Sequence, residues 1–318
     1  MRPVFNDNSR RGVSRKTLLA GILILLTLIS LGILIAMPPL IMGPIINQHV
    51  QFQTVYHAKD FGLDATELTL RTADAYDISA FEVDTSDPKA VIIFMSGIHN
   101  PSVTAFFGHA RMLKEHGYTS ILYDMRAHGE SEGDVISLGH LETLDTQAVV
   151  DYIRAKDEYS DLPIIVYGMS MGGAVAINSI GQIPEISGVI SISAYSSWED
   201  VFIENMVSLG APNVLATIEK PFVKLYTLCK FGLSTSRVYP KKQIANLGDR
   251  PALIMHSTED SQVRYANFER IMDEAPSHVE TWTRPGDYHF MTTDLLQPEN
   301  DLEYAQRVLE FLERNFGL

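Results

Sequence analysis

Hydrophobic and polar positions divide the chain into one long apolar run followed by many shorter segments. The long run, from Thr17 to Met37, contains no charged residue. Beyond Thr66, short β-rich segments alternate with longer stretches whose apolar residues recur at helical spacing. This alternation predicts a doubly wound α/β domain with a mostly parallel sheet.

The predicted strands lie where β-branched and other apolar residues cluster, and a continuous apolar run such as 90–95 is typical of a strand buried on both faces. They cover residues 68–71, 78–83, 90–95, 120–123, 163–167, 189–193, 252–256 and 280–283. The predicted helices cover residues 103–116, 141–155, 171–176, 265–274 and 302–316. We expect the first strands to form an antiparallel edge of the sheet.

The interval 197–250 breaks this alternation because it is too long for a simple crossover. It is rich in apolar and aromatic residues, among them Trp198, Phe202, Phe222 and Tyr226. We interpret it as a helical cap inserted over the carboxyl ends of the strands, where open α/β sheets bind ligands. The alternative is a set of ordinary helices packed on the sheet.

The uncharged run 17–37 is long enough, at about 20 residues, to cross a hydrocarbon layer of about 30 Å as a helix. A cleaved signal peptide is the alternative, but its apolar region normally covers about 7 to 15 residues and ends in a small-x-small site. The sequence Ala36-Met37-Pro38-Pro39 offers no convincing site, and no cysteine follows it to carry a lipid. We therefore predict an uncleaved transmembrane anchor.

Basic residues precede the apolar run, namely Arg2, Arg10, Arg11, Arg15 and Lys16. By the positive-inside rule, we expect residues 1–16 to form a cytoplasmic tail of a single-pass protein in the cell membrane, and the large domain beyond the run to be extracytoplasmic. Residues 38–61 are predicted to be a juxtamembrane tether, with the prolines at 38, 39 and 44 ending the helix. Residues 62–318 then form the domain.

Composition limits the partners of this domain. With 318 residues and 46% hydrophobic content, the chain fits one domain of about 250 residues plus an appendage. Subtracting the +4 of residues 1–46 from the formal −14 leaves −18 on the remainder, which argues against nucleic acid as a partner. The single cysteine, Cys229, lacks the spacing of a metal site and is expected to be a small buried residue.

The segment 163–176 contains the sequence Gly168-x-Ser170-x-Gly172 between a predicted strand and a predicted helix. In that context the motif indicates a nucleophile elbow, which holds the serine hydroxyl clear of the sheet. The backbone N–H of Met171, at the helix start, would face a developing oxyanion. The alternative is a glycine-rich turn whose serine merely caps a helix.

A serine nucleophile needs a histidine base and an acid that orients the histidine. In this type of fold the order along the chain is serine, acid, histidine, and the acid and the histidine each lie on a loop after a late strand. Asp260 and His289 occupy those places. Glu259 and Asp287 are the rival acids, although Asp287 is too close in sequence to His289 to approach it easily from a separate loop.

With these residues assembled, the chain from about Phe61 onward resembles the α/β-hydrolase superfamily, specifically the serine aminopeptidase and monoacylglycerol-lipase-like branch, which includes membrane-anchored bacterial members. Further similarity lies in three motifs, which cover Asp124 to Ser131, Gly139 to Asp145 and His256 to Val263. By that resemblance Asp124, Arg126 and His128 are structural turn residues. Ala127 and Ser257 stand where the family has glycine.

One departure from the family affects the oxyanion hole. After the strand 90–95 the family usually has His-Gly, whereas this chain has Ser96-Gly97-Ile98-His99-Asn100. We expect the Ile98 N–H to be the second oxyanion donor beside that of Met171. His99 is a possible replacement for the support that a histidine at position 96 would give.

These observations predict a membrane-anchored serine hydrolase that cleaves carboxylic esters, small or lipid-like, through an acyl-enzyme at Ser170. We expect no metal and no organic cofactor. The resemblance also leaves an aminopeptidase or a thioesterase open. A membrane-anchored binding protein without turnover is the alternative from a different class, and the oligomeric state is not predicted.

Overall fold

The computed structural model describes residues 14–99 and 101–317, so Arg2, Arg10 and Arg11 of the predicted basic tail lie outside the described residues. An eight-stranded sheet forms the centre of the domain. Its strands are β1 (Thr66–Arg71), β2 (Asp77–Val83), β3 (Ala90–Met95), β4 (Tyr118–Tyr123), β5 (Ile164–Met169), β6 (Gly188–Ile192), β7 (Ala252–Ser257) and β8 (Glu280–Arg284). All the predicted strands are present, with ends that differ by a few residues.

The strand order is β1-β2-β4-β3-β5-β6-β7-β8. β1 and β2 pair antiparallel at one edge, and β2 is also antiparallel to β4. From β4 to β8 every neighbouring pair is parallel. The predicted antiparallel edge and mostly parallel sheet are therefore confirmed.

Helices cover both faces of this sheet. The helices of the described residues are α1 (Arg15–Ile46), α2 (Phe107–Glu115), α3 (Glu142–Ala155), α4 (Met171–Ile180), α5 (Trp198–Ser208), α6 (Asn213–Phe231), α7 (Pro240–Gln243), α8 (Ala266–Met272) and α9 (Leu302–Phe316). The apolar residues of α3, α4 and α8 share one buried cluster, and those of α2 and α9 share another on the opposite face. This two-sided burial explains why the central strands β3, β4 and β5 are buried at every position.

The interval between β6 and β7 contains the predicted helical insertion. Its two long helices, α5 and α6, pack against each other, whereas α7 packs against α4 in the body of the domain. The cap proper is therefore shorter than the predicted 197–250. Cys229 is exposed, which contradicts the prediction of a buried residue. The inner face of α6 carries Ala216, Glu219, Val223 and Thr227, and Cys229 is off that face.

Helix α1 is long and apolar enough to cross a membrane by length and composition. Contrary to prediction, it does not end at Pro38, because all three prolines lie inside a helix that continues to Ile46. Pro38, Met42 and Ile46 are buried at a spacing of four residues, and this part of α1 packs against α6. Tertiary packing thus compensates for the hydrogen bonds that the prolines remove.

Residues 47–61, predicted as part of a tether, contact the domain that follows them. The Val50 N–H donates to the Ala127 carbonyl at 2.7 Å, and the Tyr56 N–H donates to Thr104 Oγ1 at 3.0 Å. Phe61 is buried in the cluster that contains α2. The division of the chain into tail, anchor, tether and domain stays a prediction, but the structure gives this segment fixed contacts along its length.

Candidate active site

The turn between β5 and α4 places Ser170 at the carboxyl end of a central strand. Ser170 has φ of 58° and ψ of −118°, a backbone conformation that L residues rarely adopt. A Cβ atom at Gly168 would lie 1.9 Å from the Gly172 carbonyl oxygen, and one at Gly172 would lie 2.3 Å from the Met95 carbonyl oxygen. The glycines on either side therefore make the strained turn sterically possible, as expected for an elbow.

The loops after β7 and β8 bring Asp260 and His289 together. His289 Nδ1 donates to Asp260 Oδ2 at 2.8 Å, and both side chains are buried. Asp260 Oδ1 accepts the backbone N–H groups of Gln262 and Val263, each at 2.9 Å. The carboxylate is therefore held by its own loop, and it orients the imidazole through the ring nitrogen that faces away from a substrate.

Burial alone would raise the pKa of the Asp260 carboxyl, but the hydrogen bond and electrostatic attraction of His289 and the two loop N–H groups outweigh it. The pKa of Asp260 is consequently below its ordinary value, so the group is ionised. The rival acids lie elsewhere. Glu259 is exposed, and Asp287 is exposed and accepts the Ser261 N–H at 3.0 Å.

Ser170 and His289 line two neighbouring cavities. Ser170 lines a cavity of about 240 Å³, His289 lines one of about 430 Å³, and Gln262 lines both. Among the residues that the structure describes, no hydrogen bond joins Ser170 Oγ to the His289 imidazole. Such contacts are often long in substrate-free enzymes and shorten when a substrate binds.

The cavity beside Ser170 is mainly apolar. Cap helix α5 contributes Trp198, Val201 and Phe202, while Met42 and Ile45 come from α1. Phe222 and Tyr226 of α6, which belong to the predicted cap, are not among the described residues that line this cavity. Helix α5 follows directly from the end of β6 and so lies over the site, whereas α6 packs on the outside of α5 and on α1.

The two predicted oxyanion donors border the same cavity as Ser170. Met171 is the first residue of α4, so its N–H has no partner within the helix. The Ile98 carbonyl accepts a hydrogen bond from His128 Nε2 at 2.7 Å, which fixes the peptide plane beside it. Ser96 Oγ donates to the Pro101 carbonyl at 2.5 Å, and this bond supports the loop where the family has histidine.

His99 contacts the segment that follows α1. Its Nε2 lies 3.2 Å from Gln48 Nε2, in the segment just beyond α1, and its ring lines the cavity. Asn100 lies outside the described residues. The structure thus adds Met42, Ile45 and Gln48, all in or just after α1, to the surroundings of the site. Sequence reasoning missed them because residues 38–61 were interpreted as a juxtamembrane tether.

The motif residues expected to be structural do form a buried network. Arg126 Nη2 donates to Asp145 Oδ1 at 2.7 Å, and Arg126 Nη1 donates to Asp74 Oδ2 at 2.7 Å. Glu142 accepts the Gly139 N–H at 2.8 Å. Burial raises the pKa of the Asp124 carboxyl to about 7. These groups hold the turns behind Ile98 and do not reach the Ser170 cavity.

The described part of the chain has no obvious metal-binding site. Among residues 14–99 and 101–317, no group of three His, Cys, Asp or Glu side chains could hold a metal ion. The expectation of a reaction without metal or organic cofactor stays a prediction.

Comparison with known proteins supports the resemblance stated above. The family model for serine aminopeptidases, S33, matches residues 86–243. The uncharacterized protein YqkD of Bacillus subtilis is 23% identical over 256 residues, which cover 79% of this chain and 80% of that protein. Human monoglyceride lipase is 34% identical over 112 residues, or 34% of this chain and 36% of the lipase.

Solved structures share the fold. The Pyrococcus furiosus esterase Pf2001 superposes with a TM-score of 0.65 and 22% sequence identity, covering 86% of this chain and 99% of the esterase. At this level of identity the likeness establishes the α/β-hydrolase fold and nothing finer. The family model over residues 86–243 and the lipase relative further support a place in the α/β-hydrolase superfamily, in its serine aminopeptidase and monoacylglycerol-lipase-like branch.

Proposed function

We propose that this protein is a membrane-anchored serine hydrolase that cleaves carboxylic esters through an acyl-enzyme on Ser170. The observation that carries the proposal is the strained Ser170 elbow at an apolar cavity, beside a loop pair in which Asp260 orients His289. Relatives named monoglyceride lipase and esterase support an ester substrate.

In the proposed reaction, His289 Nε2 removes the proton of Ser170 Oγ as the oxygen attacks the ester carbonyl. The N–H groups of Met171 and Ile98 stabilise the negative charge on the carbonyl oxygen. His289 then donates the proton to the departing alcohol, which leaves an acyl group on Ser170. A water molecule, deprotonated by His289, releases the acid and restores the serine.

The same machinery would serve an aminopeptidase, and the matching family model carries that description. An aminopeptidase must bind a protonated α-amino group, for which a carboxylate is the natural partner. The described residues that line the Ser170 cavity include no aspartate or glutamate. The lining therefore favours an uncharged acyl group over an aminoacyl group.

The test is a substrate panel on the full-length protein in detergent. It comprises p-nitrophenyl esters, monoacylglycerols, acyl thioesters and aminoacyl amides, each assayed with wild-type protein and with Ser170→Ala. We expect esters to be turned over best, and the variant to lose a factor on the order of 10⁴ or more while it stays folded.

Fluorophosphonate labelling separates this proposal from a binding protein that keeps only the fold. We expect the probe to label the wild-type protein and not Ser170→Ala. A folded variant that retains substantial hydrolysis would refute Ser170 as nucleophile, and faster turnover of thioesters or aminoacyl amides would move the protein to another reaction class.

The membrane part of the proposal rests on α1. Its composition and its length allow one crossing of a bilayer, and Arg15 and Lys16 stand at its start. We propose that the N-terminus is cytoplasmic and the hydrolase domain lies on the other side of the cell membrane. A signal sequence near the N-terminus would satisfy the same criteria of length and composition.

A further inference from the structure

The last turns of α1 form part of the wall of the cavity that contains Ser170. Met42 and Ile45 line this cavity together with Val201 and Phe202 of cap helix α5. Met42 is buried, whereas Ile45 is 39% exposed. The helix predicted to anchor the protein therefore also shapes the space in which an acyl group would bind.

This end of α1 is fixed to the rest of the domain. Ile46 is fully buried, and the residues after it contact both the cap and the loop that carries Ile98. Asn47 Oδ1 accepts a hydrogen bond from Lys230 of α6 at 2.5 Å. Gln48 Nε2 lies 3.2 Å from His99 Nε2. No flexible spacer separates the apolar helix from the cavity.

The position of Met42 and Ile45 along the helix places them close to a bilayer. They follow Met37, the end of the predicted span, by five and eight residues, which is about 8 and 12 Å at a rise of about 1.5 Å per residue. The headgroup layer accounts for about 5 to 8 Å on each side of the hydrocarbon. With α1 across the bilayer as proposed, the cavity wall begins near the outer edge of the headgroups.

We propose that Met42 and Ile45 contact the acyl chain of the substrate and set the chain length that the enzyme prefers. This inference rests on the proposed ester hydrolysis at Ser170. The substrate class that fits is a single-chain ester from the adjacent leaflet, because the cavity of about 240 Å³ is smaller than the roughly 300 to 1,000 Å³ usual for drug-sized ligands. A lipid with two acyl chains does not fit it.

The experiment compares p-nitrophenyl octanoate with p-nitrophenyl acetate for full-length protein in detergent micelles. We expect Ile45→Ala to lower the octanoate-to-acetate ratio of kcat/KM by about fourfold or more, since each lost methylene contact is worth about that factor. Ile45→Trp, which fills the cavity, should lower the ratio further. Met42→Ala should act in the same direction as Ile45→Ala.

Ile41→Ala is the matched control, because Ile41 is the same residue type, one turn earlier, and is 42% exposed. It is not among the described residues that line the cavity. We expect it to leave the ratio at the wild-type value. Melting temperatures are measured for all variants. If Met42→Ala unfolds the protein because Met42 is buried, the Ile45 variants still provide the test, since Ile45 is partly exposed.

The outcomes separate this inference from the proposed function. An active, Ser170-dependent enzyme whose ratio is the same in Ile45→Ala, Ile45→Trp and Ile41→Ala overturns the role of α1 and leaves ester hydrolysis intact. A wild-type protein without Ser170-dependent hydrolysis overturns both. A ratio that falls with the Ile45 variants and not with Ile41→Ala supports both.

Discussion

The carboxyl of Asp260 is the group on which the orientation of His289 depends. Asp260→Asn should abolish most ester hydrolysis, because an amide holds the imidazole in the wrong tautomer, and the loss should be on the order of 10⁴ in kcat. Glu259→Gln is the matched control, since Glu259 is the adjacent acid and is exposed. Steady-state kinetics of the two variants test the assignment, and a severe defect in Glu259→Gln with a mild one in Asp260→Asn would reverse it.

The lowered pKa of Asp260 also makes a prediction about stability. A carboxyl whose pKa is lower in the folded than in the unfolded chain stabilises the fold above the unfolded pKa, which is about 3.9 for aspartate, and loses that contribution as the pH falls. The difference in melting temperature between wild type and Asp260→Asn should therefore be largest near neutral pH and shrink below about pH 4. A difference that grows on acidification would mean that burial dominates and the pKa is raised.

Residues whose role is dictated by sterics could be predicted from the sequence. Gly168 and Gly172 stand where a methyl group would collide with backbone oxygens, so the motif itself implies the strained Ser170. The contact between Asp260 and His289 follows from strand order. The support by Ser96 could not be predicted, because a hydroxyl has many possible acceptors and the Pro101 carbonyl becomes one only when the loop folds.

At the scale of elements, the cap is joined to the body of the domain through Asp200 on α5. Its buried carboxylate accepts hydrogen bonds from Lys220 of α6 at 2.5 Å and from Lys241 of α7 at 2.6 Å. Burial by itself would raise the pKa of Asp200, but these two ammonium groups and Ser197 outweigh it and hold the pKa well below its ordinary value. One side chain thus links three helices.

Asp200→Asn should loosen the cap. Replacing the charge leaves Lys220 and Lys241 without their partner. Loss of one member of a buried ion pair lowers the free energy of unfolding by about 3 kcal/mol. We expect a smaller loss here because Lys220 is half exposed. Hydrogen exchange should become faster in α5 and α6, and the melting temperature should fall. Glu199→Gln, one residue earlier on the same helix, is the control, and equal exchange rates in the two variants would contradict the link.

The helices show where sequence patterns stop being informative. The termini of α9 match the prediction, because a strongly amphipathic pattern defines its buried face. Helix α1 is apolar on every side in the predicted span, so its sequence contains no periodicity that distinguishes the lipid-facing part from the part that packs on α6. The sequence also does not indicate which cap helix lies over Ser170, because that depends on how α5 and α6 pack against each other.

For the whole molecule, the proposed topology predicts which parts a protease can reach. In intact cells, protease added outside should digest the domain beyond residue 46, while a tag placed before Arg10 should stay protected. The physical reason is the positive-inside rule for the basic residues ahead of the apolar run. Protease treatment of permeabilised cells is the control, and a soluble form that begins between residues 37 and 44 would identify a signal peptide.

Helix α1 is continuous from Arg15 to Ile46, and its last turns pack against α6. Helices adapt to bilayers of different thickness by tilting. A helix that is packed against its domain carries the domain with it, so a change of tilt rotates the mouth of the cavity relative to the lipid surface. With α1 across a bilayer, the thickness of the membrane affects how easily a substrate reaches Ser170. This effect requires no lipid bound at a regulatory site.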